Sequence, residues 1–147
     1  MLSKKKILEF NNIFKLYGQN EFVIDINLVR KIFESDFFQS FLTHINNLIL
    51  DIIEKEKTVI LHINVESFEI SDLIYYDKIY EMTKTINNHT NKITNTYIYG
   101  CSVLTSQIIT MLSNSLEHNK GGEILFLPIS DFVFNDFILN NNNNNNL

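Results

Sequence analysis

The part of the chain that most constrains the fold is the segment 58–127, where the residue patterns of strands and helices alternate. Three short runs are rich in apolar and β-branched residues, and the two stretches between them repeat apolar residues with helical spacing. In chain order they are a strand over 58–64, a helix from Asp72, a strand over Ile93–Tyr99, a helix from Val103 and a strand over Glu123–Leu127. Strands separated by helices pair in parallel through right-handed crossovers. The segment therefore predicts an α/β fold, a single domain with a mainly parallel or mixed sheet of four to five strands.

Two further patterns place strands in that sheet. The run 58–64 is apolar in a way that suits a central strand with helices covering both of its faces. Phe22, Ile24 and Ile26 alternate with more polar residues, which predicts a half-buried strand at or near the sheet edge. The segment 7–17 has no clear period and is compatible with either a short strand or a short helix.

Helix starts are indicated by residues that cap free backbone N–H groups. A capping box at Asp36 predicts the start of a long helix whose apolar stripe continues to Glu54. Ser71 or Asp72 is placed to cap the next helix, and Ser102 to cap the last long one.

The C-terminal region is rich in phenylalanine. Ser130 is placed to cap a short helix over 131–139, with a closing edge strand as the alternative. Its Phe132, Phe134 and Phe137 can cover an open side of the core or line a site for an apolar ligand.

Length and composition indicate one domain. The chain has 147 residues and is 45% hydrophobic, which suits a single core over residues 1–139. Residues 140–147 are an asparagine-rich tail with almost nothing apolar to bury, so we expect that tail to be disordered. Alanine is absent and asparagine, isoleucine and lysine are frequent, a bias typical of an A+T-rich genome.

Charge and cysteine content limit the cellular compartments and the classes of partner that we expect. The net charge of −5 leaves no basic field to gather a nucleic acid, so nucleic-acid binding is not expected. Cys101 is the only cysteine and cannot form an internal disulfide, and the N-terminus lacks a long apolar run. These features predict a cytoplasmic protein without a transmembrane segment.

The residues give no sign of a catalytic, cofactor or metal site. The four histidines are scattered, at His44, His62, His89 and His118, and none has metal-ligand spacing to another. No glycine-rich phosphate loop is present. Glu66, Glu69 and Asp72 follow the carboxyl end of a central strand, where α/β sheets often bind ligands, but capping and solvation explain them as well. A pocket that joined His62, Glu66 and Cys101 would instead indicate an enzyme.

The segment 58–127 resembles the core of a CRAL-TRIO domain, the Sec14-like lipid-binding fold, including its BCH-domain relatives. The resemblance rests on the strand Val59–Asn64, the loop and helix start 68–73, the helix through Tyr75 and Ile79, the strand 96–99, and Glu123–Leu127 followed by Ser130 and Asp131. It implies a non-enzymatic module that binds a lipid or another apolar ligand between the sheet and its covering helices, with Phe132, Phe134 and Phe137 as candidate lining residues.

The chain is also similar to STAS domains, the anti-sigma-factor antagonist fold, which share this βα superhelical arrangement. That similarity implies a protein-interaction domain that binds a protein partner. In STAS domains of the phospho-switch type, a serine at the start of the helix after a central strand is phosphorylated, and Ser71 occupies a similar position. Ser71 is therefore a candidate regulatory residue, with helix capping as its alternative role.

Overall fold

A computed structural model of the chain describes residues 2–115 and 122–132. Over these residues the protein is a single α/β domain built on a five-stranded sheet. The strands are β1 Phe14–Tyr17, β2 Glu21–Asp25, β3 Val59–Asn64, β4 Ile93–Tyr99 and β5 Glu123–Leu127. The described helices are α1 Lys4–Ile13, α2 Ile26–Phe33, α3 Phe38–Glu56, α4 Tyr76–Asn87 and α5 Val103–Ser115, with short 3₁₀ helices at Ile70–Tyr75, Thr90–Lys92 and Ile129–Asp131.

The strands follow one another across the sheet in chain order, β1 to β5. β1 and β2 form an antiparallel hairpin in which Phe14 lies opposite Ile24. The pairs β2–β3, β3–β4 and β4–β5 are all parallel, and each parallel connection contains a helix. The predicted α/β class and mainly parallel sheet are confirmed.

The main hydrophobic core lies between the sheet and its helices. Phe22, Ile24 and Leu61 from the strands pack in one cluster with residues of α1, α2, α3 and α4. Aromatic rings fill much of it: the Phe14 and Phe22 rings stack with centroids 4.5 Å apart. We call this side of the sheet the helix-covered face.

The expectation that helices cover both faces of β3 is wrong. Side chains along a strand alternate between the two faces of the sheet. Val23, His62 and Tyr97 are neighbours in register on three adjacent strands, and their side chains lie on the face away from the main core. On this second side, the opposite face, Val23 and Tyr99 form a small cluster of their own. A parallel sheet whose strands run in sequential order carries right-handed crossovers on a single side, so the described α-helices all lie on the helix-covered face.

Several element boundaries differ from those predicted. The segment 7–17 holds both alternatives, since α1 ends at Ile13 and β1 begins at Phe14. The predicted capping box at Asp36 is wrong: α3 begins at Phe38 and its N-cap residue makes no side-chain hydrogen bond.

The structure tests the cap that was predicted for α5 and part of the predicted C-terminal helix. Ser102 caps α5 as predicted, because its hydroxyl accepts a hydrogen bond from the Thr105 N–H at 3.1 Å. At the start of the predicted helix over 131–139, the structure has the short 3₁₀ helix Ile129–Asp131. Residues 133–139 and the asparagine-rich tail lie outside the described residues. Within the described part of the chain, no helix is both long enough and apolar enough to cross a bilayer.

Candidate functional site

A cavity of about 190 Å³ lies between the helix-covered face of the sheet and helices α4 and α5. Its floor is formed by side chains of β3, β4 and β5, and its walls by the facing sides of the two helices. The described floor residues include Leu61, Ile63, Thr96, Ile98 and Ile124, and the wall residues include Ile79, Met82, Ile86, Ile108, Ile109 and Leu112.

The helical pattern of the sequence explains the two walls. In α4, Ile79, Met82 and Ile86 recur every three or four residues and share one side, as predicted. For α5 the spacing of apolar residues predicts one stripe of Leu104, Ile108, Met111, Leu112 and Leu116. That prediction is partly wrong, because Leu104 and Met111 are exposed. Helix α5 thus lies over the sheet with apolar residues on both its inner and outer sides.

The cavity lining carries no charge. Among the described lining residues there is no Asp, Glu, Lys, Arg or His. Of the polar ones, Thr83 donates its hydroxyl hydrogen to the Ile79 carbonyl at 2.7 Å, and Thr105 pairs with the Ser102 hydroxyl at 2.9 Å. Such a lining favours an apolar or neutral occupant, since an unpaired charge is costly to bury.

The cavity lining extends along the helices and strands, and across the sheet it reaches from Ile24 of β2 to Ile124 of β5. Along α4 its lining runs from Tyr76 to Asn87, which at about 1.5 Å per residue spans about 16 Å. Along β4 it runs from Ile93 to Ile98, which at about 3.3 Å per residue gives a similar length. Its volume slightly exceeds the ~150 Å³ of an engineered apolar cavity that binds benzene, and it is below the ~300–1,000 Å³ of typical drug-sized sites.

One end of the cavity reaches the surface beside the Ile70–Tyr75 helix. Leu73 and Tyr76 both line the cavity and are exposed to solvent. Exposed carboxylates flank this opening along the chain, at Glu66, Glu69 and Asp77. We call it the acidic mouth.

The Ile70–Tyr75 helix is held by the only arginine of the chain. Arg30 donates from Nε to Asp72 Oδ1 at 2.7 Å and from Nη2 to Asp72 Oδ2 at 2.8 Å. The same Nη2 also donates to the Ser67 carbonyl at 2.9 Å. Asp72 is only 5% exposed, and the hydrogen bond from Arg30 holds the pKa of its carboxyl below the ordinary value. The pair fixes the loop that forms the acidic mouth.

Ser71 does not cap a helix. Glu69 is the N-cap residue of the 3₁₀ helix, and Asp72 accepts the Glu69 N–H at 2.8 Å in a capping box. The Ser71 hydroxyl is exposed and lies 3.4 Å from the Glu69 carboxylate. Its chain neighbours Ile70 and Ile74 are 65% and 78% exposed, so Ser71 lies in an exposed apolar segment.

A second polar site lies on the opposite face of the sheet. His62 is buried, its Nε2 is 2.7 Å from Glu21 Oε1 and its Nδ1 is 2.8 Å from the Tyr99 hydroxyl. An ionised Glu21 only accepts, so a neutral His62 donates from Nε2 and accepts the Tyr99 O–H at Nδ1. Burial raises the pKa of Tyr99 to about 12. The sequence showed only His62 in mid-strand; the two partners come from other strands, 41 and 37 residues away.

The three residues that would have indicated an enzyme are not brought together as a catalytic group. Both ring nitrogens of His62 are used by Glu21 and Tyr99 rather than by Glu66 or Cys101. Burial raises the pKa of the Cys101 thiol, which disfavours a reactive thiolate. No group of three or more metal-ligating side chains occurs in the described parts of the chain.

The remaining histidines have structural partners where they are described. His44 Nε2 is 2.7 Å from Asn11 Oδ1, and His89 Nε2 is 2.7 Å from Asn46 Oδ1. Burial lowers the pKa of both imidazoles. His118 lies outside the described residues.

The structure places Phe132 away from the cavity. Phe132 is 2% exposed and packs on Tyr99, on the opposite face of the sheet, with ring centroids 5.1 Å apart. It is not among the described residues that line the cavity. Phe134 and Phe137 lie outside the described residues.

Comparisons of the chain with protein-family models, with curated proteins and with solved structures find no match.

Proposed function

We propose that this chain is a non-enzymatic binding module that holds a single-chain apolar molecule in the cavity between the sheet and helices α4 and α5. The observation that carries the proposal is the lining: a slot about 16 Å long by helix rise, with no charged side chain among its described residues. Apolar burial drives the uptake of such a ligand.

The dimensions narrow the ligand class. A lipid with two acyl chains needs far more room than about 190 Å³, whereas one extended chain needs less volume and matches the length of about 16 Å along α4. The sequential strand order agrees with the βα superhelical arrangement implied by the resemblance to CRAL-TRIO domains. In this proposal the chain acts as a minimal module resembling a CRAL-TRIO domain, with a smaller ligand.

Catalysis is not part of the proposal. The candidate acid–base group, Glu21 with His62 and Tyr99, lies on the face of the sheet away from the cavity. The Tyr99 hydroxyl has a raised pKa, the reverse of what an activated nucleophile needs.

The first experiment is native mass spectrometry of the purified protein, with organic extraction of any bound molecule. A stoichiometric single-chain ligand supports the proposal. The test variant is Thr83→Phe, which puts a ring into the cavity, and its control is Thr85→Phe on the same helix. Both threonines donate to the backbone carbonyl four residues earlier, so the two changes differ mainly in whether the ring enters the cavity. Equal ligand occupancy in both variants would contradict the proposal.

A second candidate function is supported by the exposed segment around Ser71. We propose as the alternative a STAS-like interaction domain that binds a protein partner through Ile70 and Ile74 and is regulated by phosphorylation of Ser71. A phosphate there would lie beside the Glu69 carboxylate and repel it, weakening the capping box. Hydrogen exchange of residues 66–76 should then be faster in Ser71→Glu than in Ser71→Ala. Equal exchange in the two variants would remove this candidate.

A further inference from the structure

We infer that the cavity selects a single-chain amphiphile without negative charge, whose neutral polar group binds at Asn87 and Ser113. This inference rests on the proposed function and specifies the ligand of the same cavity. Both residues line the cavity near Gly122, at the end away from the acidic mouth. Their side chains make no hydrogen bond to another described residue, although neighbouring lining hydroxyls such as Thr83 and Thr105 are paired.

The chemistry of this pair favours a neutral group. An asparagine amide and a serine hydroxyl together offer donors and acceptors, which match an alcohol or an amide that both donates and accepts. Asn87 is the last residue of α4, and Ser113 lies on α5 near the limit of its described residues. The C-terminus of α4 directs partly negative carbonyl groups towards this end, which disfavours an anion there.

A carboxylate group of a ligand is also disfavoured at the other end of the cavity, the acidic mouth. The acidic mouth carries Glu66, Glu69 and Asp77, which repel an anionic end group. Between the two ends the described lining offers no cation. An ionised fatty acid would therefore have its charge opposed at either end, whereas an uncharged amphiphile of equal length would not.

The length of the slot sets the length of the ligand's alkyl chain. An extended backbone advances about 3.5 Å over three bonds, so an alkyl chain advances about 1.2 Å per bond. A slot of about 16 Å along α4 thus accommodates an alkyl chain of roughly a dozen carbons.

The test compares three probes with the same alkyl chain and different end groups: 1-dodecanol, dodecanoate and dodecylammonium. Their affinities are measured at neutral pH, below micelle formation, by displacement of an apolar fluorophore from the full chain. We expect 1-dodecanol to bind at least tenfold more tightly than dodecanoate. As the pH falls and dodecanoate takes up a proton, this difference should shrink.

The variants test where the polar group lies. Asn87→Leu and Ser113→Ala should each weaken 1-dodecanol binding about fivefold, the equivalent of one hydrogen bond. The control is Asn114→Ala, an exposed change next to Ser113 that should leave affinity unaltered. Circular dichroism confirms that each variant is folded.

The outcomes separate this inference from the proposed function. If dodecanoate binds as tightly as the alcohol, or if Asn87→Leu and Ser113→Ala both match the control, the inference is overturned. Tightest binding of dodecylammonium with no effect of Asn87→Leu would place the end group at the acidic mouth and also overturn it. If no probe displaces the fluorophore, or if Thr83→Phe changes nothing, the proposed function itself fails.

Discussion

Replacing Asp72 by asparagine tests how the loop at the acidic mouth is held. In the folded protein Asp72 accepts three hydrogen bonds, two from the Arg30 guanidinium and one from the Glu69 N–H, all at 2.7–2.8 Å. Asparagine has nearly the same shape but removes the negative charge and one accepting oxygen. Asp72→Asn therefore leaves a guanidinium paired with a neutral amide.

The size of the effect follows from the burial of the two partners. Breaking a buried ion pair by removing one charge costs about 3–5 kcal/mol. Here Asp72 is almost fully buried, but the Arg30 side chain is 28% exposed and can regain some hydration. Asparagine also keeps one oxygen as an acceptor. We therefore expect a loss of about 2–3 kcal/mol in the free energy of unfolding, a fall in Tm of about 4–12 °C.

The pH dependence provides a second signature. The folded-state pKa of Asp72 is depressed, so its ion pair stabilises the fold above the unfolded pKa of about 3.9. That contribution is lost as the pH falls through the depressed folded-state pKa. The stability difference between the wild type and Asp72→Asn should be constant from about pH 5 to pH 8 and shrink in more acidic solution.

The assay is urea unfolding followed by circular dichroism at several pH values. Its control is Asp51→Asn, which removes an exposed partner of Lys55 one helical turn away and should cost about 0.3–0.5 kcal/mol. If Asp72→Asn is no more destabilising than this control at pH 7, or if its deficit persists unchanged into acid, the ion pair does not hold the loop as argued.

Three further changes test other parts of the fold. Gly100→Ala should cost about 2 kcal/mol or more, since Gly100 has φ +73° and an added Cβ would meet a side-chain atom at 2.8 Å. Gly18→Ala, with φ +67° and a nearest contact of 3.9 Å for the added Cβ, should cost about 1 kcal/mol in urea unfolding. Tyr99→Phe should cost about 1–2 kcal/mol by leaving His62 Nδ1 without its hydroxyl partner. Because the folded pKa of Tyr99 is raised to about 12, the stabilisation from its neutral form is complete below about pH 10 and is lost as the pH rises towards 12, so alkaline unfolding of the wild type and the variant should converge there. Phe132→Ala should cost about 2–4 kcal/mol but change the affinity for 1-dodecanol less than twofold; a large loss of affinity would place Phe132 at the ligand after all.

The elements that sequence reasoning predicted best are those defined by periodicity. The strands Ile93–Tyr99 and Glu123–Leu127 have the predicted bounds, and the apolar side of α4 faces the sheet as its spacing requires. Local signals succeeded where one side chain decides the outcome, as at Ser102. They failed at Asp36, because the buried Phe38 and Phe41 fix the first turn of α3 by packing rather than by a cap.

The distribution of the helices over the two faces of the sheet could not be obtained from composition alone. The run 58–64 is rich in apolar residues, which suits a strand covered on both faces, yet His62 and Asn64 lie on the opposite face, away from the described α-helices. Which face the crossover helices cover depends on the order of strands in the sheet, and that order is a property of the whole chain. The polar residue His62 in the middle of β3 was the available sign of the polar site on the opposite face. Its partners, Glu21 and Tyr99, became identifiable only when β2, β3 and β4 were aligned in the sheet.

The cavity was beyond prediction for a different reason. Sequence patterns show which side chains point inward, but they do not show how closely two inward sides approach. Helices α4 and α5 both direct isoleucines at the sheet, as a filled core would require, and a gap remains between them. The polar end at Asn87 and Ser113 also depends on α4 and α5 bringing these two residues to the same cavity.

The two walls of the cavity are held very differently, and this determines which one adapts to a ligand. Helix α4 is fixed to α3 by two side-chain hydrogen bonds, from Gln39 Nε2 to Glu81 Oε2 at 3.1 Å at the middle of α4 and between His89 and Asn46 at 2.7 Å just after its end. Its Met82 also belongs to the main core. The hydrogen bonds that α5 side chains make to described residues stay within the helix and its cap. Because the hydrogen bonds to α3 hold α4 and the ion pair with Arg30 holds the loop, we expect both to keep their places while shifts of α5 accommodate ligands of different width.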